Sequence, residues 1–107
     1  MPQQAPYLGI SVTLPTANTN YSLRTLLKAI DVDVDSAREL QLQSDSSNGS
    51  AVIAVGDINL SASRRAYKLT TGSARYYRSI SDNLPIGGMY LRTDTNGSVV
   101  NVEMIYA

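Results

Sequence analysis

The sequence predicts an all-β fold: an antiparallel β-sandwich, jelly-roll or Greek-key-like, of six to eight short strands with one short N-terminal helix. Three observations carry this. Apolar and polar residues alternate with period two over several short stretches. Turn-forming clusters such as SDSSNGS (44–50) and Asn96-Gly97 separate those stretches. Only one segment has a convincing helical period. A chain of 107 residues suits a single core, so residues 7–107 are read as one sandwich domain and residues 1–6 as an N-terminal arm.

Leu8, Ile10, Val12 and Leu14 alternate with Gly9, Ser11 and Thr13 and form a strand with one buried face, which Pro15 ends. Leu23, Leu26, Leu27 and Ile30 fall at i, i+3, i+4 and i+7, a helix of little more than two turns with Ser22 at its cap. So short a helix is marginal in water and must dock its leucines on a sheet. Leu40 and Leu42 alternate with Glu39, Gln41 and Gln43 in the next strand. Ala51 to Val55 is apolar on both faces, as a central strand is. Between residues 57 and 72 the pattern predicts a long loop with one short strand around Ala66 to Leu69. In the strand Ala74 to Ile80, Tyr76 and Ile80 are assigned to the core face and Arg75, Tyr77 and Ser79 to the other. Asn96-Gly97 predicts a two-residue type I′ hairpin setting Leu91 opposite Val102 and Met89 opposite Met104.

Composition excludes more than it assigns. Histidine and cysteine are absent, which removes the commonest general base, the thiolate nucleophile, disulfides and the usual zinc ligands. The serines have neither a histidine nor a Ser-x-x-Lys arrangement to activate them, and Gly87-Gly88 lacks the flanking pattern of a phosphate loop. The chain reads as non-enzymatic, with no cofactor. Nine basic residues balance nine acidic ones, so nucleic acid is not an expected partner. The opening MPQQAPYLGI lacks the basic start and apolar run of a secretory leader, and no stretch is long and apolar enough for a membrane span. A soluble protein made in the cytoplasm, with no membrane partner, is the expectation.

Two clusters are candidate sites. Asp31, Asp33 and Asp35 alternate as the first ligands of a calcium loop do, but an EF-hand would need glycine and glutamate where Ser36 and Leu42 stand. A calcium loop of another geometry and a solvated connection both fit the pattern, and the ligand count favours the connection. Asp31 and Asp33 also crowd the helix C-terminus, where negative charge is unfavourable, so a cation or a basic partner is expected nearby. The second cluster is basic and aromatic. Arg64, Arg65, Tyr67, Arg75 and Tyr77 are of the residue types enriched at protein contacts and, with Pro2, Gln3, Gln4 and Tyr7 of the arm, form the expected subunit interface. All seven aromatic residues are tyrosines, which suits sandwich margins and contacts, where the hydroxyl finds a partner.

The stretch VGDINLSASRRAYKLTTGSARYYRS, together with TNGSVVNVEMIY, resembles small virion proteins of tailed bacteriophages. The order of a VTLP strand, an SLRTLLKAI helix, a VGD strand, LSAS and a closing VNVEMIYA is similar across nearly the whole chain. The resemblance implies a capsid decoration or cement protein, or a small head or tail accessory subunit, that bridges neighbours mechanically. Its partners would be the major capsid protein or other virion subunits and further copies of itself, and its location the virion. Gly56, Asp57, Leu60, Ser61, Gly72, Asn96, Gly97 and Asn101 match its strand and turn marks and are read as fold determinants, whereas Lys68 stands where a glycine is expected. The alternative is a carbohydrate-binding or host-recognition module using exposed tyrosines, against which the absence of tryptophan weighs.

Overall fold

The computed structural model describes residues 7–78 and 84–106. Nine strands, a short helix and two 3-10 turns follow in the order β1 (Tyr7–Leu14), β2 (Tyr21–Ser22), α1 (Leu23–Lys28), β3 (Ser36–Ser44), β4 (Ile53–Gly56), β5 (Tyr67–Leu69), β6 (Ala74–Arg78), β7 (Leu84–Pro85), β8 (Tyr90–Thr93) and β9 (Ser98–Tyr106). The 3-10 turns lie at Ser46–Asn48 and Ile86–Gly88. One sheet has the order β1-β9-β3-β6, with β7 beside the start of β3, and the other has the order β2-β8-β4-β5. This is the all-β sandwich, with two strands of only two residues beyond the larger elements.

The pairing is nested. First pairs with last (β1 with β9), β2 with β8, β3 with β6 and β4 with β5, all antiparallel. Successive pairs fall in alternate sheets, as when one long hairpin is rolled up, and that is a jelly roll. The inner faces supply the core: Val12 and Leu14 from β1, Leu40 and Leu42 from β3, Ile53 and Val55 from β4, Leu91 from β8, and Val100, Val102 and Met104 from β9. Burying one such side chain fully stabilises by about 1.5–3 kcal/mol.

Helix α1 buries Leu23, Leu26 and Leu27 in that core. It stops short of Ile30, where its spacing predicts it to run. Ser22 makes no side-chain cap, and the Leu23 N–H donates to Met89 O instead (2.9 Å). Ile30 lies beyond the helix and is exposed. Asp31 takes a left-handed conformation (φ 63°), and Val32 N and Asp31 N donate back to Leu27 O and Lys28 O at 2.9 and 3.0 Å. That bond pair is a Schellman ending, and it places Val32 against the core beside Leu27.

The expected C-terminal hairpin is absent. Strands β8 and β9 belong to different sheets, so residues 94–97 form a corner. A type I′ turn needs positive φ at Asn96; among the described residues the non-glycine positions with positive φ are Asn18 and Asp31, and only Gly97 of the pair is left-handed (φ 77°). Side chains turn the corner. Thr93 Oγ1 and Ser98 Oγ lie 2.5 Å apart in the interior, and both bond to the Thr95 carbonyl. Asn96 Oδ1 accepts from Ala17 N (2.7 Å), and Gly97 N donates to Leu14 O (3.0 Å). Leu91 and Val102, expected as hairpin partners, enter the same core from opposite sheets.

Strand β6 is a second correction. Register pairs Tyr77 with Leu40 and Tyr76 with Gln41, so Tyr77 packs against the core and Tyr76 stands on the outer face, 52% exposed. The alternation is as read, but its phase is reversed. Ser79 and Ile80 lie outside the described residues.

Candidate functional site

The three aspartates do not converge. Asp31 serves the helix ending described above, while Asp33 and Asp35 reach Arg24 of α1 at 3.7 and 2.7 Å. Arg24, in the first turn of α1, is thus a basic partner of Asp33 and Asp35 and not of Asp31 at the helix C-terminus. Both pairs are exposed and contribute little to stability. Among the described residues no group of three or more acidic, histidine or cysteine side chains is placed to hold a metal ion.

The basic and aromatic cluster divides into two. Arg64 and Arg65 belong to the loop after β4. Asp57 Oδ1 accepts from Asn59 N (2.9 Å) and its Oδ2 from Arg64 Nη2 (3.2 Å); the Asn59 bond first, then Arg64, hold its carboxyl below the usual range. Ser61 Oγ accepts from Arg64 N (3.0 Å), and Arg65 Nη1 donates to Ala62 O (2.9 Å). Leu60 buries itself over Gly56, where an added Cβ would lie 3.0 Å from its Cδ1. Both arginines remain exposed on this loop.

Arg75, Tyr67 and Tyr77 instead join the two sheets. Strands β5 and β6 are the edges of their sheets on the same side of the sandwich. The Arg75 guanidinium lies 4.9 Å from the Tyr67 ring centre and 5.5 Å from that of Tyr77. Burial raises the Tyr77 phenol pKa, and Arg75 opposes the rise. These three residues form an intramolecular clasp. Pro2, Gln3 and Gln4 lie outside the described residues.

Tyr7 opens β1 and is 61% exposed. Strand β1 pairs with β9 on one side and with no other strand among the described residues. Its eight residues, YLGISVTL, contain no charge and no proline, the two commonest devices by which edge strands avoid pairing with other chains. The opposite edge, β6, is ARYYR. It is shorter, and Arg75 points its charge along the inner face beside Leu42.

The outer face of the five-stranded sheet was not anticipated. Across it register sets Gly9, Glu103, Gln41 and Tyr76 in one row and Ser11, Asn101, Gln43 and Ala74 in the next. A shallow groove of about 290 Å³ runs over Gly9, Ser11, Gln41, Gln43, Asn101 and Glu103. It adjoins a second hollow lined by Tyr7, Glu39 and Tyr76. Tyr76 donates its hydroxyl to Glu39, whose carboxylate raises the phenol pKa. Tyr7 is raised by desolvation and by Glu103. The Tyr7 ring lies across Gly9: a Cβ there would sit 3.2–3.6 Å from its Oη, Cε1 and Cζ. The reversed phase of β6 hid this face from the sequence pattern.

No family model matches the chain, and no curated protein matches it. A solved structure described by the words "Bacillus endospore appendages form a novel family of disulfide-linked pili" is loosely similar, with TM-score 0.41 and 10% identity over 98% of this chain and 93% of that one. So loose a likeness carries no argument about role, and this chain has no cysteine with which to form a disulfide. No helix among the described residues is long and apolar enough to cross a membrane.

Proposed function

We propose that this protein is a non-catalytic structural subunit of a tailed-bacteriophage particle, most simply a capsid decoration protein, that joins its neighbours edge to edge through β1. The observation that carries the assembly reading is the undefended edge of β1, eight uncharged residues long. Such an edge presents a ladder of backbone donors and acceptors that another strand can complete. The virion assignment rests on the resemblance of the VGDINLSAS and VNVEMIYA stretches, with the major capsid protein or other virion subunits as partners. The jelly roll is compatible with it, although the same architecture serves capsids, lectins and enzymes.

The test is solution mass by light scattering over a concentration series, for the wild type and for Thr13→Lys. Thr13 lies on the exposed side of β1 and makes no side-chain hydrogen bond among the described residues. The expected result is a discrete oligomer that the lysine dissociates while the circular dichroism spectrum is unchanged. A wild type that stays monomeric throughout, or an oligomer indifferent to the lysine, overturns joining through β1.

A further inference from the structure

We propose that the outer face of the five-stranded sheet binds an extended chain of neutral sugars, with Tyr7 and Tyr76 as stacking platforms, Gln41 and Glu103 as hydrogen-bonding groups between them and Gln43 in the next row of the groove. This site uses the outer face of β1, not the backbone ladder of its edge, and does not rest on the assembly reading. Both rings are more than half exposed on a sheet face that has no covering layer among the described residues. Large exposed rings on a sheet face mark a contact surface when they are held in place rather than scattered. Each is held: Tyr76 through its hydroxyl to Glu39, Tyr7 by its seat on Gly9. Rings already fixed lose little freedom when a ligand arrives.

The groups between the rings select the chemistry. The side chains of Gln41 and Gln43 make no hydrogen bond among the described residues and line the groove. Each offers a planar amide with both donor and acceptor. Glu39 and Glu103 add carboxylate acceptors. A pyranose matches this set, with C–H groups on its face to lie on a tyrosine ring and hydroxyls on its rim to meet amides and carboxylates. Arg78 stands beside Glu39 and Tyr76 at one end of the face, but the groove itself carries the Glu103 carboxylate and no cation, which disfavours phosphate and uronate. The strands that carry the platforms, β1 and β6, lie three strand spacings or about 14 Å apart, and the hollow that the two rings share runs on into the groove, a length that calls for a chain rather than a single sugar. The groove is open, as a chain that passes across it requires.

The experiment is a two-dimensional amide NMR titration of the whole protein with three soluble probes, the β-1,4-linked hexasaccharides of glucose, mannose and N-acetylglucosamine. At least one is expected to move the amides of Gly9, Gln41, Tyr76 and Glu103 in a saturable way. Tyr76→Ala should weaken that binding at least about tenfold, equivalent to about 1.4 kcal/mol, and Tyr76→Phe should retain most of it. If Tyr76→Ala proves unfolded by melting temperature, Gln43→Ala carries the same comparison. The proposal is overturned if none of the probes moves these amides, if binding survives the alanine variant unchanged, or if the same amides move on protein dilution alone, which would make the face a protein contact.

Discussion

The two edges of the five-stranded sheet handle the same hazard in opposite ways. β6 is five residues long, carries Arg75 and Arg78, and stacks the Arg75 guanidinium on Tyr67 and Tyr77 so that an inward-pointing charge lies at its edge. β1 is eight residues long and carries nothing of the kind. Had both edges been open, copies could add at either side without limit; with one blunted, pairing through the other closes after a single step about a two-fold axis. In the proposed assembly through β1, this asymmetry is what separates a defined oligomer from a fibre.

The comparison breaks most visibly at the anchors of the two strands. Leu14→Ala, at a fully buried position of β1, should cost about 2–5 kcal/mol in urea unfolding, and Tyr77→Ala in β6, only partly buried, about 1–3 kcal/mol. Equal costs would mean that β6 is anchored as deeply as β1. Arg75→Ala should cost about 1 kcal/mol through the loss of both ring contacts and should make the protein aggregate at concentrations the wild type tolerates. Arg75→Lys should restore solubility without the planar stack.

A smaller effect tests the polar seam beside β1. Asp45 accepts from Ser47 N and Oγ and from Asn101 Nδ2 of β9, and these bonds, Ser47 first and then Asn101, lower its pKa to about 2. A carboxyl whose pKa is lower folded than unfolded adds stability at pH above its unfolded value and loses it as pH falls through the folded one. Thermal melts should therefore show stability declining from about pH 4 toward pH 2, with a shallower decline in Asp45→Asn. The smallest effect sharpens the comparison most: Thr13→Lys should leave unfolding free energy within about 0.5 kcal/mol of wild type, so that any change in its association reports the edge alone.

Much of this architecture was legible. β1, β3, β4 and β5 lie where alternation, double-sided apolarity and turn residues place them, because one buried face leaves a period of two whatever the topology. The partner of a strand leaves no such mark. Leu91 and Val102 face the core whether β8 and β9 form a hairpin or cross between sheets, so pattern alone could not distinguish the two. The corner is made by Thr93 and Ser98 bonding to each other inside it and by Asn96 reaching Ala17 on a distant part of the chain, which turn preferences do not encode. In β6 a tyrosine occupies each phase, and Leu40 of β3 decides which enters. That single reversal moved Tyr76 to the surface. The site was hidden for a further reason: its members come from β1, β3, β6 and β9, and only sheet order makes them neighbours.

The nesting of first strand with last has a consequence for synthesis. Tyr7 meets Ile105, and β9 lies between β1 and β3. A ribosome releasing this chain from its N-terminus must pass β9 before β1 can find its neighbour, so the domain closes late and through long-range contacts, the slow regime of folding. A chain broken off before Ser98 lacks the middle strand of its larger sheet and cannot display a formed edge. The fold thus proofreads its own message: only a chain that includes β9 offers the edge through which copies are proposed to join.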